Sequence, residues 1–160
     1  MTQTNTTPTS TAFLSFTTLL HLALSLVILF FLHTLTSHAA TLQVAAGNDE
    51  TTVNSTCSLS EAITNINNGD ATSYPECTST NADPFGTDDT IELPTGTITL
   101  TADLPQITES ITIVGQGMGE SVVDGDGQYG AILCVASAPN TMLQVSGMKV
   151  TGFELGAPVS

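Results

Sequence analysis

From Asp89 onward the chain alternates short apolar, β-branched runs with Gly, Asp and Pro: "TIELP", "TITLT", "SITIVG", "SVVDG", "AILCV", "TMLQVSG" and "MKVTGF". Within these runs apolar and polar residues alternate, the pattern of a half-buried strand, and their β-branched content suits a pleated surface. Two longer regularities overlie the alternation. Ile91, Ile111, Ile132 and Val150 are separated by 20, 21 and 18 residues, and Ile98, Val122 and Leu143 by 24 and 21. Two interleaved strand series with one approximate period predict stacked coils, each placing its apolar residues on those of the coil below. The expected fold is therefore all-β: a parallel β-helix, a single-stranded solenoid. A Greek-key sandwich also tolerates seven short strands.

Upstream the texture differs. "TLQVAAG" (41–47) predicts a first strand ending at Gly47, and "NDETTVN" a polar connection. Next comes the one helix signal. Ser58 followed by Glu61 three residues later makes a capping box. Leu59, Ala62, Ile63 and Ile66 follow at helical spacing, and Gly69 is placed to terminate the helix. So short a segment needs a partner surface to be stable. The predicted role is an N-terminal cap over the open end of the solenoid, since exposed sheet ends invite aggregation. Residues 70–88 are turn formers and read as an irregular loop.

Residues 12–32, "AFLSFTTLLHLALSLVILFFL", form an almost unbroken apolar run. It reads as a hydrophobic signal or anchor helix. Ser37 and Ala39 provide small residues at the positions a signal peptidase requires, with cleavage between Ala39 and Ala40. The run also approaches the ~20 residues that span a bilayer, and no Lys or Arg precedes it. A cleaved signal peptide and a membrane anchor both remain open, and both export the rest. The expected organisation is 1–39 signal or anchor; 40–88 strand, capping helix and loop; and 89–160 the first coils. Export places the chain in the secreted or cell-surface compartment, and any membrane contact runs through residues 12–32.

The formal net charge is −14, with fifteen Asp and Glu against a single Lys or Arg, Lys149. Nucleic acid is excluded as a partner, because neutralising phosphates needs clustered Lys or Arg. Three cysteines are present. In an exported chain Cys57 and Cys77 read as a disulfide, while Cys134 in "AILCV" reads as a buried strand residue. Pairing of Cys134 with either of the others stays open. Asn54-Ser55-Thr56 has the form of a glycosylation sequon.

"CSLSEAITNINNGD", followed by a second cysteine and "DDTIELPTGTITLTADLPQITESITIVGQGMGESVVDGDG", resembles the bacterial CSLREA-type exported proteins. Cys57, Ser58, Leu59, Glu61, Ala62 and Ile63 match in place; Ser60 stands where that family usually has Arg. The resemblance covers residues 51 to about 153. It implies a right-handed parallel β-helix of the pectate-lyase-like class and many further coils, so the chain reads as an N-terminal fragment. Continuation coils, or self-association at the open C-terminal end, would then follow residue 160.

No catalytic constellation stands out. "GQGMGE" (115–120) lacks nucleotide-binding spacing and predicts a turn. Asp124 and Asp126 in "VDGDGQYG" are weak calcium candidates without the other oxygen ligands of a calcium loop; Asp83, Asp88 and Asp89 are a second weak set. No cofactor is expected beyond that possible Ca2+. A polysaccharide lyase needs a base and cations, which Lys149 alone does not supply, and a glycoside hydrolase needs two spaced carboxylates. The expected function is a non-catalytic, adhesin-like scaffold presenting Thr, Ser and Asn to glycans or surface proteins. The alternative is the N-terminal part of a carbohydrate-active enzyme whose site lies beyond residue 160.

Overall fold

The computed structural model describes His21, residues 39–129, Val135 and residues 140–153. The chain divides into two compact units, Met1–Thr36 and Ser37–Ser160, and everything below concerns the second. Eight strands and one helix follow in order: β1 (Thr41–Gln43), β2 (Gly47–Asp49), α1 (Leu59–Asn68), β3 (Asp89–Glu92), β4 (Gly96–Leu100), β5 (Ile111–Val114), β6 (Ser121–Asp124), β7 (Leu143–Ser146) and β8 (Lys149–Thr151). Odd strands make one parallel sheet, β1-β3-β5-β7, and even strands a second, β2-β4-β6-β8.

This arrangement corrects the expected fold class. The described residues form two four-stranded parallel sheets and a short helix, an α/β-like composition, in place of an all-β, single-stranded β-helical solenoid. The registers show why the spacing misled. Leu42, Ile91, Ile113 and Val145 lie opposite one another along the first sheet, so neighbours on that line are 49, 22 and 32 residues apart. Ile111 faces Asp89 and Leu143, not Ile91. Val150 belongs to the other sheet, opposite Val123. The apparent period of about twenty therefore mixed residues of two sheets. Ile132 and Cys134 lie outside the described residues. So does the apolar run 12–32 apart from His21, and no helix of the described residues is long and apolar enough to cross a membrane.

Alternation fixes which side of each strand turns inward. In β3 and β5 the first and third residues are buried and the second and fourth only half-buried. The core gathers Leu42, Ile91, Ile113, Ile98, Leu100 and Val123 from the strands with Leu59, Ala62, Ile63 and Ile66 from α1. Burying one such side chain contributes about 1.5–3 kcal/mol.

β2 was not legible in the sequence. Gly-Asn-Asp has poor strand propensity and straddles the end of "TLQVAAG" and the start of the stretch that reads as a polar connection. Parallel pairing with Ile98–Leu100 makes it a strand nonetheless. The "GQGMGE" stretch is the turn between β5 and β6: Glu120 and Ser121 both donate their N–H to the Gly117 carbonyl, at 2.9 and 3.0 Å.

Candidate functional site

The first strand and the loop after β3 build a groove. Gln43 ends β1 and Glu92 ends β3, and the parallel register sets them opposite each other. Gln43 Nε2 donates to Glu92 Oε2 at 3.0 Å. The chain then turns through Leu93-Pro94-Thr95 into β4. Gln116 closes over that turn, donating from Nε2 to the Leu93 carbonyl at 3.2 Å. Buried Ser121 braces it from below: its Oγ donates to the Pro94 carbonyl at 2.7 Å and accepts the Gln116 N–H at 2.9 Å. The resulting cleft, about 320 Å³, is lined by Gln43, Val44, Glu92, Leu93, Pro94, Thr95 and Gln116.

The outward positions of the same sheet continue this chemistry. Thr41, Thr90, Thr112 and Gln144 are in register across all four strands, and none of them is buried. Hydroxyl and amide groups thus recur at the strand spacing of about 4.8 Å. Each both donates and accepts, as do the hydroxyls of a sugar. Only Val114, opposite Glu92, interrupts the polar outer face of β1, β3 and β5.

A separate knot of buried polar groups holds α1 in place. Cys57 and Cys77 are bonded through sulfur, with a sequence separation of 20. Ser58 is the N-cap of α1: its Oγ accepts the Glu61 N–H at 3.2 Å, and Glu61 Oε2 accepts the Ser58 N–H at 2.9 Å. Gly69 ends the helix at φ 72°. Ser60 turns to β2, donating its N–H and its hydroxyl to the two carboxylate oxygens of buried Asp49 at 2.9 and 2.5 Å. Those bonds place a negative charge at the helix N-terminus, where the helix dipole favours it. Burial raises the Glu61 carboxyl above the usual carboxylate range, against the lowering effect of the Ser58 N–H, and nearby Glu76 raises it further. Glu61 Oε1 and Glu76 Oε2 are both enclosed without a protein partner.

The remaining sequence candidates sit apart from the groove. Asp124 ends β6 and accepts the Asp126 N–H on Oδ1 at 3.1 Å; Asp126, at φ 52°, accepts from Gln128 Nε2 at 3.1 Å. Both carboxylates serve the turn after β6. Among the described residues no group of three or more His, Cys, Asp or Glu is gathered to hold a metal. Asp89 is fully buried in β3 and Asp88 precedes it at φ 67°. Asp89 Oδ1 accepts the Ala40 N–H at 2.7 Å, and Oδ2 accepts the Gly86 N–H at 3.1 Å. Desolvation pushes its carboxyl up, opposed by those two N–H groups, and Asp88 pushes it up further.

Gln43, Glu92 and Gln116 were not singled out by sequence. Each is an isolated polar residue, and only strand register brings the three together. No protein-family model, curated protein or solved structure matches this chain. Its function is therefore read from its own geometry.

Proposed function

We propose that the part of the chain after the export segment is a cell-surface or secreted scaffold of adhesin-like type, non-catalytic as it stands, which holds a glycan or a glycan-bearing surface protein. The observation that carries this reading is the groove at Gln43, Glu92 and Gln116, continued by the in-register row Thr41, Thr90, Thr112 and Gln144. Amides, hydroxyls and a carboxylate held by a rigid parallel ladder offer both donors and acceptors for sugar hydroxyls. The net charge of −14 favours neutral over anionic saccharides. Kinship with CSLREA-type exported proteins is part of the same proposal and rests on Cys57, Ser58, Leu59, Glu61, Ala62 and Ile63.

The purified protein is tested on an array of neutral and acidic glycans. Binding of a neutral glycan is expected. The double variant Gln43→Ala/Gln116→Ala should weaken it about tenfold, the worth of one or two net hydrogen bonds, while remaining folded and losing no more than about 3 kcal/mol of stability, the worth of its two internal bonds to Glu92 and Leu93. Release of shortened oligosaccharides from any polysaccharide would overturn the reading in favour of an enzyme. So would glycan binding unaffected by the double variant, since the groove would then not be the site.

A further inference from the structure

Asp89 presents a problem in charge. Its carboxylate is fully buried, and the chain has one Lys or Arg to offset fifteen acids, Lys149 on exposed β8. Buried charges are ordinarily paired. Asp89 instead receives two neutral backbone N–H groups, and the shorter bond, 2.7 Å, comes from Ala40. Ala40 is itself fully buried, while Ala39 before it is half-buried. The bond between these two residues is the one that the small residues Ser37 and Ala39 mark for signal-peptidase cleavage.

We propose that Asp89 is the seat for the α-ammonium group that cleavage of the Ala39–Ala40 bond creates. The inference rests on the export reading above. Hydrolysis by a signal peptidase of the exporting cell consumes one water: its oxygen goes to the Ala39 carbonyl carbon, the C–N bond breaks, and Ala39 leaves as a carboxylate while Ala40 nitrogen becomes –NH3+. The nitrogen that now lies 2.7 Å from Asp89 Oδ1 then carries a full positive charge, and 2.7 Å already falls in the range of a charge-assisted bond. The remaining ammonium hydrogens meet solvent in the space that Ala39 vacates. The strand keeps its other ties. Thr90 donates its N–H to the Ala40 carbonyl at 2.8 Å, and Asn81 Oδ1 accepts the Thr41 N–H at 3.1 Å. Asn81 Nδ2 loses the Ala39 carbonyl but retains Asp83 Oδ2, at 2.9 Å. Processing thereby replaces a dipole with an ion at Asp89, a buried carboxylate that adjoins the cut.

The full chain is expressed in a secreting host and the exported protein is recovered. Intact mass and N-terminal peptide mapping locate its first residue, which should be Ala40. A mature chain starting there holds two amines, the Ala40 α-amine and Lys149 Nζ, so a small acylating reagent at neutral pH has an internal reference. An ordinary α-amine, with a pKa near 7.7–8.0 against about 10.4 for lysine, acylates well before lysine. In the folded protein the α-amine should be slowed at least about tenfold relative to Lys149, one pKa unit or more of pairing. Unfolding in urea should restore the ordinary ratio of the two rates. In folded Asp89→Asn the ordinary ratio should likewise return; the urea comparison on the unsubstituted protein needs no variant to fold. An α-amine whose rate relative to Lys149 is the same in the folded, exported protein as in urea overturns the inference and leaves export standing. A mature chain that begins at another residue overturns it too. A chain retained in the cell with residues 1–39 attached overturns both readings.

Discussion

Single residues in this protein do opposite jobs with the same functional group. Asp49 and Glu61 are both buried carboxylates beside the start of α1, yet Asp49 has both oxygens engaged by Ser60 and Glu61 leaves Oε1 without a protein partner. A buried acid whose native pKa is raised holds its proton longer in the folded than in the unfolded chain. Stability then falls as pH rises from the ordinary carboxylate range, about 4, up to the native value, and levels off above it. Thermal melting between about pH 7 and pH 4.5 should show a Glu61 contribution that strengthens toward acid. Glu61→Gln should flatten that slope while keeping the bond to the Ser58 N–H, and should stay within about 1.5 kcal/mol of the parent at pH 7, the worth of one hydrogen bond. A steeper slope in the variant would contradict the assignment. In the core, Ile113 faces Ile91 and Val145 and is fully buried. Ile113→Ala should cost about 2–5 kcal/mol in urea unfolding, whereas Thr112→Ala, one position along and facing outward, should change stability by no more than about 0.5 kcal/mol.

At the scale of elements, α1 is a ten-residue helix that would not persist alone. Two terminal devices and one buried face hold it. Ser58 serves twice, accepting the Glu61 N–H and donating its Oγ to the Glu50 carbonyl at 2.6 Å. Ser58→Ala should therefore lower unfolding free energy by about 1 kcal/mol or somewhat more. The β5–β6 turn and the β7–β8 turn meet through glycines. Gly117 donates its N–H to the Gly147 carbonyl at 2.8 Å, and Gly147 has φ 66°. A Cβ on Gly147 would collide with the Gly115 backbone. Gly147→Ala should lower the melting temperature more than Gly69→Ala does, because the space around Gly69 is open and only its positive φ resists. Circular dichroism melts of the two variants compare them directly.

For the whole molecule, the disulfide between Cys57 and Cys77 is the covalent tie between the start of α1 and the loop that follows it. Closing a loop of this size stabilises by about 3 kcal/mol through the unfolded chain. Reduction, or replacement of both cysteines by serine, should lower the urea midpoint accordingly. The glycan binding proposed for the groove, which lies on β1, β3 and residue 116, should persist at temperatures where the reduced protein is still folded.

What could be read locally was read from the residues themselves. A capping box, an apolar face at helical spacing and an αL glycine are interactions within a dozen residues, so "CSLSEAITNINNG" carries its helix in its own pattern. Alternation likewise marked β3 to β6, because burial on one side of a strand repeats every second residue. Tertiary structure decided the rest. Which strand lies beside which depends on backbone ladders between residues tens of positions apart, and similar apolar residues at similar spacing fit more than one register. Hence Ile111 lies opposite Asp89 and Leu143 rather than Ile91, Gly47–Asp49 became a strand against its propensity, and two four-stranded parallel sheets stand in place of the expected single-stranded solenoid. The groove belongs to that second class. Gln43, Glu92 and Gln116 share no local pattern, and only the β1–β3 pairing and the bond from Gln116 to the Leu93 carbonyl make them one surface.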